Sequence, residues 1–518
     1  MLVGAIQRAR QTRGAEIATI FRDRQRTWIE STDRTARLAS GLRAIGVQAN
    51  DRVGLLGLNS DRYLEALHAI WWCGAVTVPM NTRWALSEHI YSVMDAEIST
   101  VLVDDDFVDI ARQISKVCPR IGRWIYMGER RSPASFESFE GLIEAHTAVA
   151  SHPRSRDALA GIFYTGGTTG TPKGVMHSSL SLWTGAIAIA FMIRAPVAPR
   201  YLHAAPMFHL GDLSQAFYTT ALAGTHVIIP SFSVPNVIEA VREHRVQSTL
   251  LLPTMIGMLL DNPLFRADDF RSLQWLLYGG SPITERIRNR LRSDLPNVKI
   301  SQGFGQTETS ACGTVMPDEE TRRLINDHPR QRSAGRAAYG VELKIVRQNG
   351  SDAKCGEVGE VWLKTPAAML GYLNKPEETA QALSEGWVHT GDAGYVDEGG
   401  FLFICDRVKD MIISGGENVF SAEVENAIAS LPAIAQVAVI GVPDETWGER
   451  VHAVIVPKDA LRPTLDEIQT HCRSLIAGYK IPRSMEIRET ALPLSSVGKV
   501  LKAELRAPHW RGQPHNVH

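Results

Sequence analysis

Four segments of this sequence carry residue types that could handle a phosphorylated ligand. The first is Tyr164-Thr165-Gly166-Gly167-Thr168-Thr169-Gly170-Thr171-Pro172-Lys173-Gly174. It follows the apolar run Gly161-Ile162-Phe163, so the pattern predicts a loop leaving a strand. Glycines let backbone N–H groups approach an anion, threonines add hydroxyl donors, and Lys173 adds a point charge suited to phosphate. The loop is not the GxxxxGK[ST] type, because Gly174 stands where that pattern needs Ser or Thr. A plain surface loop is the alternative, but a glycine-threonine run ending in lysine is rare in linkers.

The second segment is Gly303-Phe304-Gly305-Gln306-Thr307-Glu308-Thr309, again after a strand-like run. Phe304 could stack on a base, Thr307 could bond a phosphate, and Glu308 could hold magnesium. A turn with a core phenylalanine explains it nearly as well. The third is Thr390-Gly391-Asp392 with Cys405-Asp406-Arg407-Val408-Lys409-Asp410. Aspartate accepts and arginine donates, so the pair could clasp two ribose hydroxyls, or could be a structural ion pair on a hairpin. The fourth, from Pro493 to Lys502, holds Lys499 on a glycine-containing turn. Alone it reads as a solvated lysine.

These segments need a scaffold. Leu38, Leu42 and Ile45 fall at helical spacing with Gly46 as a stop. Residues 52–57 read as a buried strand. Ser60 is a candidate cap for a helix bearing Leu64, Leu67 and Trp71, and 76–78 read as the next strand. The alternation recurs: helix 235–245, strand 248–252, strand 273–278, a helix from Pro282 to Leu291, and strand 298–301. This predicts largely parallel sheets covered by helices. From about residue 334 the texture becomes antiparallel, with strands at 340–346 and 359–363 and a hairpin over 394–404 turned at Glu398-Gly399-Gly400. A smaller α+β unit follows: strand 411–413, helix 421–431, strands 437–440 and 451–456, and helix 465–479. The fold class expected is α/β, with domains 1–406 and 407–518.

Composition narrows the partners. The chain has 518 residues, a formal net charge of −1 and 44% hydrophobic residues. That length exceeds one ordinary core. The charge balance shows no nucleic-acid footprint, although a few local cations suffice for a polyanionic small molecule. Cys73, Cys118, Cys312, Cys355, Cys405 and Cys472 are scattered without a CxxC pair, which fits a reducing compartment and argues against disulfides or a zinc framework. The first 14 residues lack the apolar core of a signal peptide, and no window reaches the roughly 20 apolar residues of a membrane span. The expected location is cytoplasmic.

Taken in order, the four segments resemble the adenylate-forming superfamily, which includes acyl-CoA synthetases, luciferases and the adenylation domains of peptide synthetases. The resemblance runs from Thr27-Trp28 to Lys499. It is most similar to bacterial AMP-forming acyl-CoA synthetases at Ser414-Gly415-Gly416-Glu417-Asn418-Val419, at 406–413 and at 442–449. Two departures stand out: Gly166-Gly167 where many members carry serine beside glycine, and Asp406 before Arg407 where many carry glycine. The second is tolerated in acyl-CoA synthetases.

The resemblance implies ATP, Mg2+ and coenzyme A as co-reactants and a small carboxylic acid as substrate. It implies that Thr165, Gly166, Gly167, Thr168, Thr169, Gly170 and Lys173 cradle the phosphates. Gly279, Gly280, Ser281, Gly303, Phe304 and Gly305 would line the adenine site, Thr307 would contact the α-phosphate, Glu308 would help bind Mg2+, and Asp392 and Arg407 would hold the ribose. Lys499 would bridge the carboxylate and α-phosphate, where two anions must approach and charge accumulates. A rotation about Lys409 would then exchange Lys499 for Ser414, Gly415 and Gly416, opening a path for the pantetheine thiol past Trp447, with Lys480 toward a CoA phosphate. Pro206-Met207-Phe208-His209-Leu210-Gly211 matches the segment beside the acyl pocket, where His209 would gate the carboxylate site. Its neighbours would include Leu210, Gly211, Thr254, Gly280, Gly305 and Ser310. None is charged, which favours a fatty or aryl acid over an amino acid. Alternatives are a standalone enzyme loading a carrier-protein phosphopantetheine and a non-catalytic nucleotide-binding homologue. The sequence does not fix the oligomeric state, and a homodimer is compatible with it.

Overall fold

Strands with apolar residues on both faces build the interior of the larger unit. The structure is a computed structural model; it describes residues 1–165, 172–281, 283–324, 328–415, 417–458, 461–494 and 500–511. Val76–Pro79 and Thr100–Val103 are buried at every position, as strands covered on both faces must be. They lie in an eight-stranded sheet among the described residues. Its parallel run is Val76–Pro79, Arg52–Leu56, Thr100–Val103 and Arg123–Tyr126. At one end Leu159–Thr165 turns back on Lys173–Ser178 in an antiparallel pair.

A nine-stranded sheet stands beside it in the same unit. Arg200–His203, Ser248–Leu251, Trp275–Gly279 and Lys299–Phe304 are consecutive parallel neighbours there. Helices cover both sheets. Trp28–Ala44 starts at a Thr27–Glu30 capping box, and Asp61–Trp72 starts at Ser60, whose hydroxyl accepts from the Tyr63 N–H. Trp28, Leu38, Leu42 and Leu67 are almost wholly buried. Each such side chain contributes roughly 1.5–3 kcal/mol relative to exposure.

By contact density the chain forms two compact units: Met1–Glu342 with Leu363–Val388, and Leu343–Trp362 with His389–His518. In the second, residues 389–396 of strand Trp387–Val396 and strand Leu402–Arg407 form the expected hairpin, with Asp392 directly opposite Arg407. A further sheet orders Glu417–Val419, Ile412–Ser414, Gly448–Pro457 and Ile434–Asp444, and Ser484–Ile487 joins Gly448–Pro457 in parallel. Helices Ser421–Ala429 and Leu465–Arg473 pack on it over Ile412, Val424, Val439, Ala453 and Ile468.

The α/β reading and the smaller C-terminal α+β part are both present. Two helix boundaries move by several residues, and one helix adds to those expected. The helix after Gly280 starts at Glu285, because Thr284 caps it by accepting from Ile287 N–H; Pro282 lies outside the described residues. The last long helix ends at Arg473 rather than 479, since Leu475 and Ile476 already turn back on the Cys472 carbonyl and a separate short turn spans Gly478–Lys480. An N-terminal helix, Leu2–Arg13, buries Leu2, Ala5, Ile6 and Ala9 at helical spacing. No described helix is long and apolar enough to cross a membrane.

Candidate active site

In open α/β sheets, ligands bind beyond the carboxyl ends of parallel strands. Four neighbouring strands of the nine-stranded sheet carry residues singled out above just past their carboxyl ends. Arg200–His203 leads to His209, Leu210 and Gly211; Ser248–Leu251 leads to Thr254. Trp275–Gly279 leads to Gly280 and Ser281, and Lys299–Phe304 leads to Gly305, Thr307 and Ser310. Residues far apart in sequence are thus brought to one edge of one sheet. Gly279 and Gly303 are parallel partners, and a Cβ on Gly279 would lie 2.5 Å from the Gly303 carbonyl oxygen. Only glycine fits there, because the two backbones approach so closely.

His209 is the N-cap of helix Leu210–Ala221, half-buried, with its ring 4.2 Å from that of Phe208. Ser310 is fully buried in a left-handed conformation (φ 51°), and its Oγ has no partner among the described residues. Thr254 is exposed on the first turn of helix Pro253–Asp261.

The neck of the glycine-threonine loop is fixed by register: Thr165 pairs with Lys173, and Tyr164 with Gly174. Gly166, Gly167, Thr168, Thr169 and Gly170 lie outside the described residues. Lys173 Nζ sits 5.0 Å from the centre of the Tyr372 ring, and the Tyr372 hydroxyl donates to Glu308 Oε1 at 2.7 Å. Strand Gly371–Tyr372 is held against Lys173–Ser178, with Tyr372 opposite Val175. The Met369 N–H donates to the Glu308 carbonyl at 2.8 Å. Lys173, Tyr372 and Glu308 therefore form one connected set.

Beneath it lies His177. Its Nε2 donates to the Thr307 carbonyl at 2.6 Å, and its Nδ1 bonds Ser181 Oγ at 2.9 Å. Burial pushes this imidazole down to about 4, so it is neutral at pH 7. Sequence reading missed both Tyr372 and His177. A tyrosine after glycine and a histidine inside a strand carry no local signal; only the fold brings them to Glu308 and Thr307.

In the second unit, Arg407 Nε donates to Asp392 Oδ1 at 2.9 Å, and Arg407 also donates to the Thr390 carbonyl at 3.1 Å. The Thr390 hydroxyl donates to the Val361 carbonyl and accepts from Asp392 N–H. Gly391, at φ 68°, donates to Glu360 Oε1 at 2.9 Å. Asp392 is thus oriented by its own turn and by its cross-strand partner. Asp406 accepts from the Ser421 N–H and hydroxyl, which anchors helix Ser421–Ala429 and accounts for its presence before Arg407.

Lys409 lies in a single turn, Val408–Asp410, and its carbonyl accepts from Arg506 at 3.2 Å. Gly415 (φ 62°) donates to the Trp447 carbonyl at 2.8 Å, and a Cβ there would meet the indole at 2.5 Å. Ser414 is buried beside it. The Arg483 guanidinium lies over the Trp447 ring, 4.3 Å from its centre. Lys480 is held by Glu423 at 2.7 Å. Gly416 and Lys499 lie outside the described residues.

A family model described as AMP-binding enzyme matches residues 6–373, and one described as AMP-binding enzyme C-terminal domain matches 423–499. The chain belongs to the AMP-binding enzyme family. It is 36% identical to a feruloyl-CoA synthase of Amycolatopsis sp over 481 residues, covering 93% of each chain. It is 32% identical to a fatty acid–[acyl-carrier-protein] ligase of Streptomyces coeruleorubidus, covering 95% of this chain and 93% of that one. The o-succinylbenzoate CoA synthetase of Bacillus subtilis, solved with its acyl-adenylate intermediate, superposes with a TM-score of 0.84 at 28% identity over 97% of each chain.

Proposed function

We propose that this chain is an AMP-forming acid:CoA ligase acting on an aryl or fatty acid. A carboxylate oxygen attacks the α-phosphorus of ATP, the bond to the bridging oxygen breaks, and pyrophosphate leaves. The CoA sulfur then attacks the acyl carbon, the carbon–oxygen bond to AMP breaks, and the thiol proton passes to solvent. The observation that carries this reading is the set Lys173–Tyr372–Glu308 beside Thr165, which puts a cation and a carboxylate at the neck of a glycine-rich loop.

In this reading Thr165, the loop and Lys173 orient the phosphates, and Thr307 bonds the α-phosphate from a turn steadied by His177. Phe304 and the Gly279–Ser281 edge take the adenine. Asp392 and Arg407 hold the ribose, and Lys499 stabilises the charge of the first step. Glu308 offers hard carboxylate oxygen, which fits Mg2+; the ion would supply charge neutralisation at the phosphates. Ser414, Gly415, Gly416 and Trp447 border the thiol path, and Lys480 reaches a CoA phosphate only by sharing or leaving Glu423. Lys409 is the hinge between the two half-reactions, and domains 1–406 and 407–518 are the parts it joins. The scattered cysteines support a cytoplasmic location.

The feruloyl-CoA synthase relative supports an aryl acid, and the uncharged residues at the acyl edge agree with it. The carrier-protein ligase relative keeps a second reading in play, in which the thiol belongs to a carrier-bound phosphopantetheine. Single-turnover thioester formation with CoA against a phosphopantetheinylated carrier protein separates them. A CoA rate at least tenfold higher supports the first, and the reverse ratio supports the second.

A further inference from the structure

A cluster of metal-ligating side chains lies in the second unit, apart from every residue assigned above. His452 is on strand Gly448–Pro457 and Glu486 on the parallel neighbour Ser484–Ile487. The register pairs His452 with Ser484 and Val454 with Glu486, so alternation along each strand puts His452 and Glu486 on one face. His509 comes from the turn after helix Lys502–Arg506, where its N–H donates to the Arg506 carbonyl. Leu505, packed with Ile440, Val454 and Leu492, and Trp510, whose indole N–H donates to the Gly441 carbonyl at 3.1 Å, pin this segment on the sheet.

The ligand atoms of His452, Glu486 and His509 all lie within 4.8 Å of one another. The two imidazole centres are 5.0 Å apart. Around a tetrahedral ion with bonds of about 2.0–2.1 Å, ligand atoms stand about 3.3 Å apart. Small rotations of the exposed Glu486 and the half-buried His509 close that gap.

A second observation points to a ligand. His452 is only 5% exposed, and its Nε2 is buried with no hydrogen-bond partner among the described residues. A buried imidazole nitrogen without a partner is costly. Its Nδ1 is held by Ser484 Oγ at 2.8 Å, which fixes the ring as metal-binding imidazoles are usually fixed. With the proton on Nδ1, Nε2 keeps a lone pair for a metal ion. Two imidazoles and one carboxylate suit a zinc-class ion and not Mg2+ or Ca2+, which prefer all-oxygen sites. Arg488, 3.6 Å from Glu486, competes for the same carboxylate, and Arg450, paired with Asp444, borders the site.

We propose that His452, Glu486 and His509 bind one zinc-class divalent transition-metal ion that fastens the C-terminal segment to the sheet. The test uses the full chain without a polyhistidine tag, stripped with chelator and titrated with Co2+, read by its visible absorption, then displaced by Zn2+. One equivalent should bind, and Zn2+ should raise the melting temperature. Glu486→Gln and His509→Ala should each weaken binding at least tenfold while ligase activity stays unchanged. The sequence also ends in His515 and His518, so a His515→Ala/His518→Ala variant is the control and should bind as the parent does. The proposal is overturned if no Co2+ binds, if His509→Ala binds like the parent, or if the tail variant alone abolishes binding.

Discussion

The Tyr372 hydroxyl donates to Glu308 Oε1 at 2.7 Å while the same ring lies 5.0 Å from the Lys173 ammonium. One aromatic side chain thereby spaces a cation from a carboxylate at the loop neck. Removing the hydroxyl leaves the ring and its contact with Lys173 in place. Tyr372→Phe is expected to lower kcat/KM for ATP roughly tenfold and to raise the Mg2+ concentration for half-maximal rate, because a hydrogen bond to a charged group contributes about 1.5–3 kcal/mol. Lys173→Ala should cost more, on the order of 100-fold. Steady-state rates over an ATP and Mg2+ grid check both. Parent-like values in Tyr372→Phe would remove the hydroxyl from the account.

His177 is argued to position Thr307 rather than to touch substrate. His177→Leu removes the donor to the Thr307 carbonyl and should raise KM for ATP several-fold with a lower melting temperature. His177→Gln keeps a donor near the Nε2 position and should recover much of the loss. If the two variants behave alike in KM, the contact with Thr307 has no positioning role.

Three buried histidines set an acid limit. Burial holds His68 at about 3 and His89 and His177 at about 4, all below their usual range. The unfolded chain takes up these protons from about pH 6.5 downward and the folded chain does not, so stability is lost as pH falls from 6.5 toward 4. Asp104 works the other way. Burial raises it to about 7, so its contribution is present at low pH and lost as pH rises to 7. The melting temperature should fall between pH 6.5 and 5, and Asp104→Asn should steepen that fall. A melting temperature that rises on acidification would contradict this assignment.

Lys499 and Lys409 are expected to fail in opposite half-reactions. Lys499→Ala should lose adenylation by several orders of magnitude yet convert supplied acyl-adenylate to thioester. Lys409→Pro fixes φ near −65° and should preserve pyrophosphate release in a single turnover while slowing thioester formation. Equal loss of both steps in Lys499→Ala, or retention of both in Lys409→Pro, would refute the two-conformation scheme. Thermal melting identifies a misfolded variant.

Much of this architecture was legible because it is written in local pattern. Ser60 marks a helix start, and the apolar runs at 52–57 and 76–78 mark strands of the parallel sheet. The strand leading into the glycine-threonine segment was legible for the same reason. What the sequence did not disclose depends on packing between distant segments. Tyr372 meets Glu308 only because Gly371–Tyr372 pairs with Lys173–Ser178, and His177 meets Thr307 only across two sheets. The end of the helix at Arg473 was missed because the apolar spacing continues into residues that turn back on Cys472.

The central claim is that ATP is cleaved to AMP in order to join a carboxylate to a thiol. It is tested most directly by quantifying AMP, ADP, pyrophosphate and acyl thioester together, with CoA, across cinnamic-type aryl acids, short to long fatty acids and steroid-ring acids. The account predicts AMP and acyl-CoA in equal amounts with at least one aryl or fatty acid, no ADP, and loss of thioester when CoA is left out. ADP as the nucleotide product, or no acid-dependent AMP with any member of the panel, would contradict it.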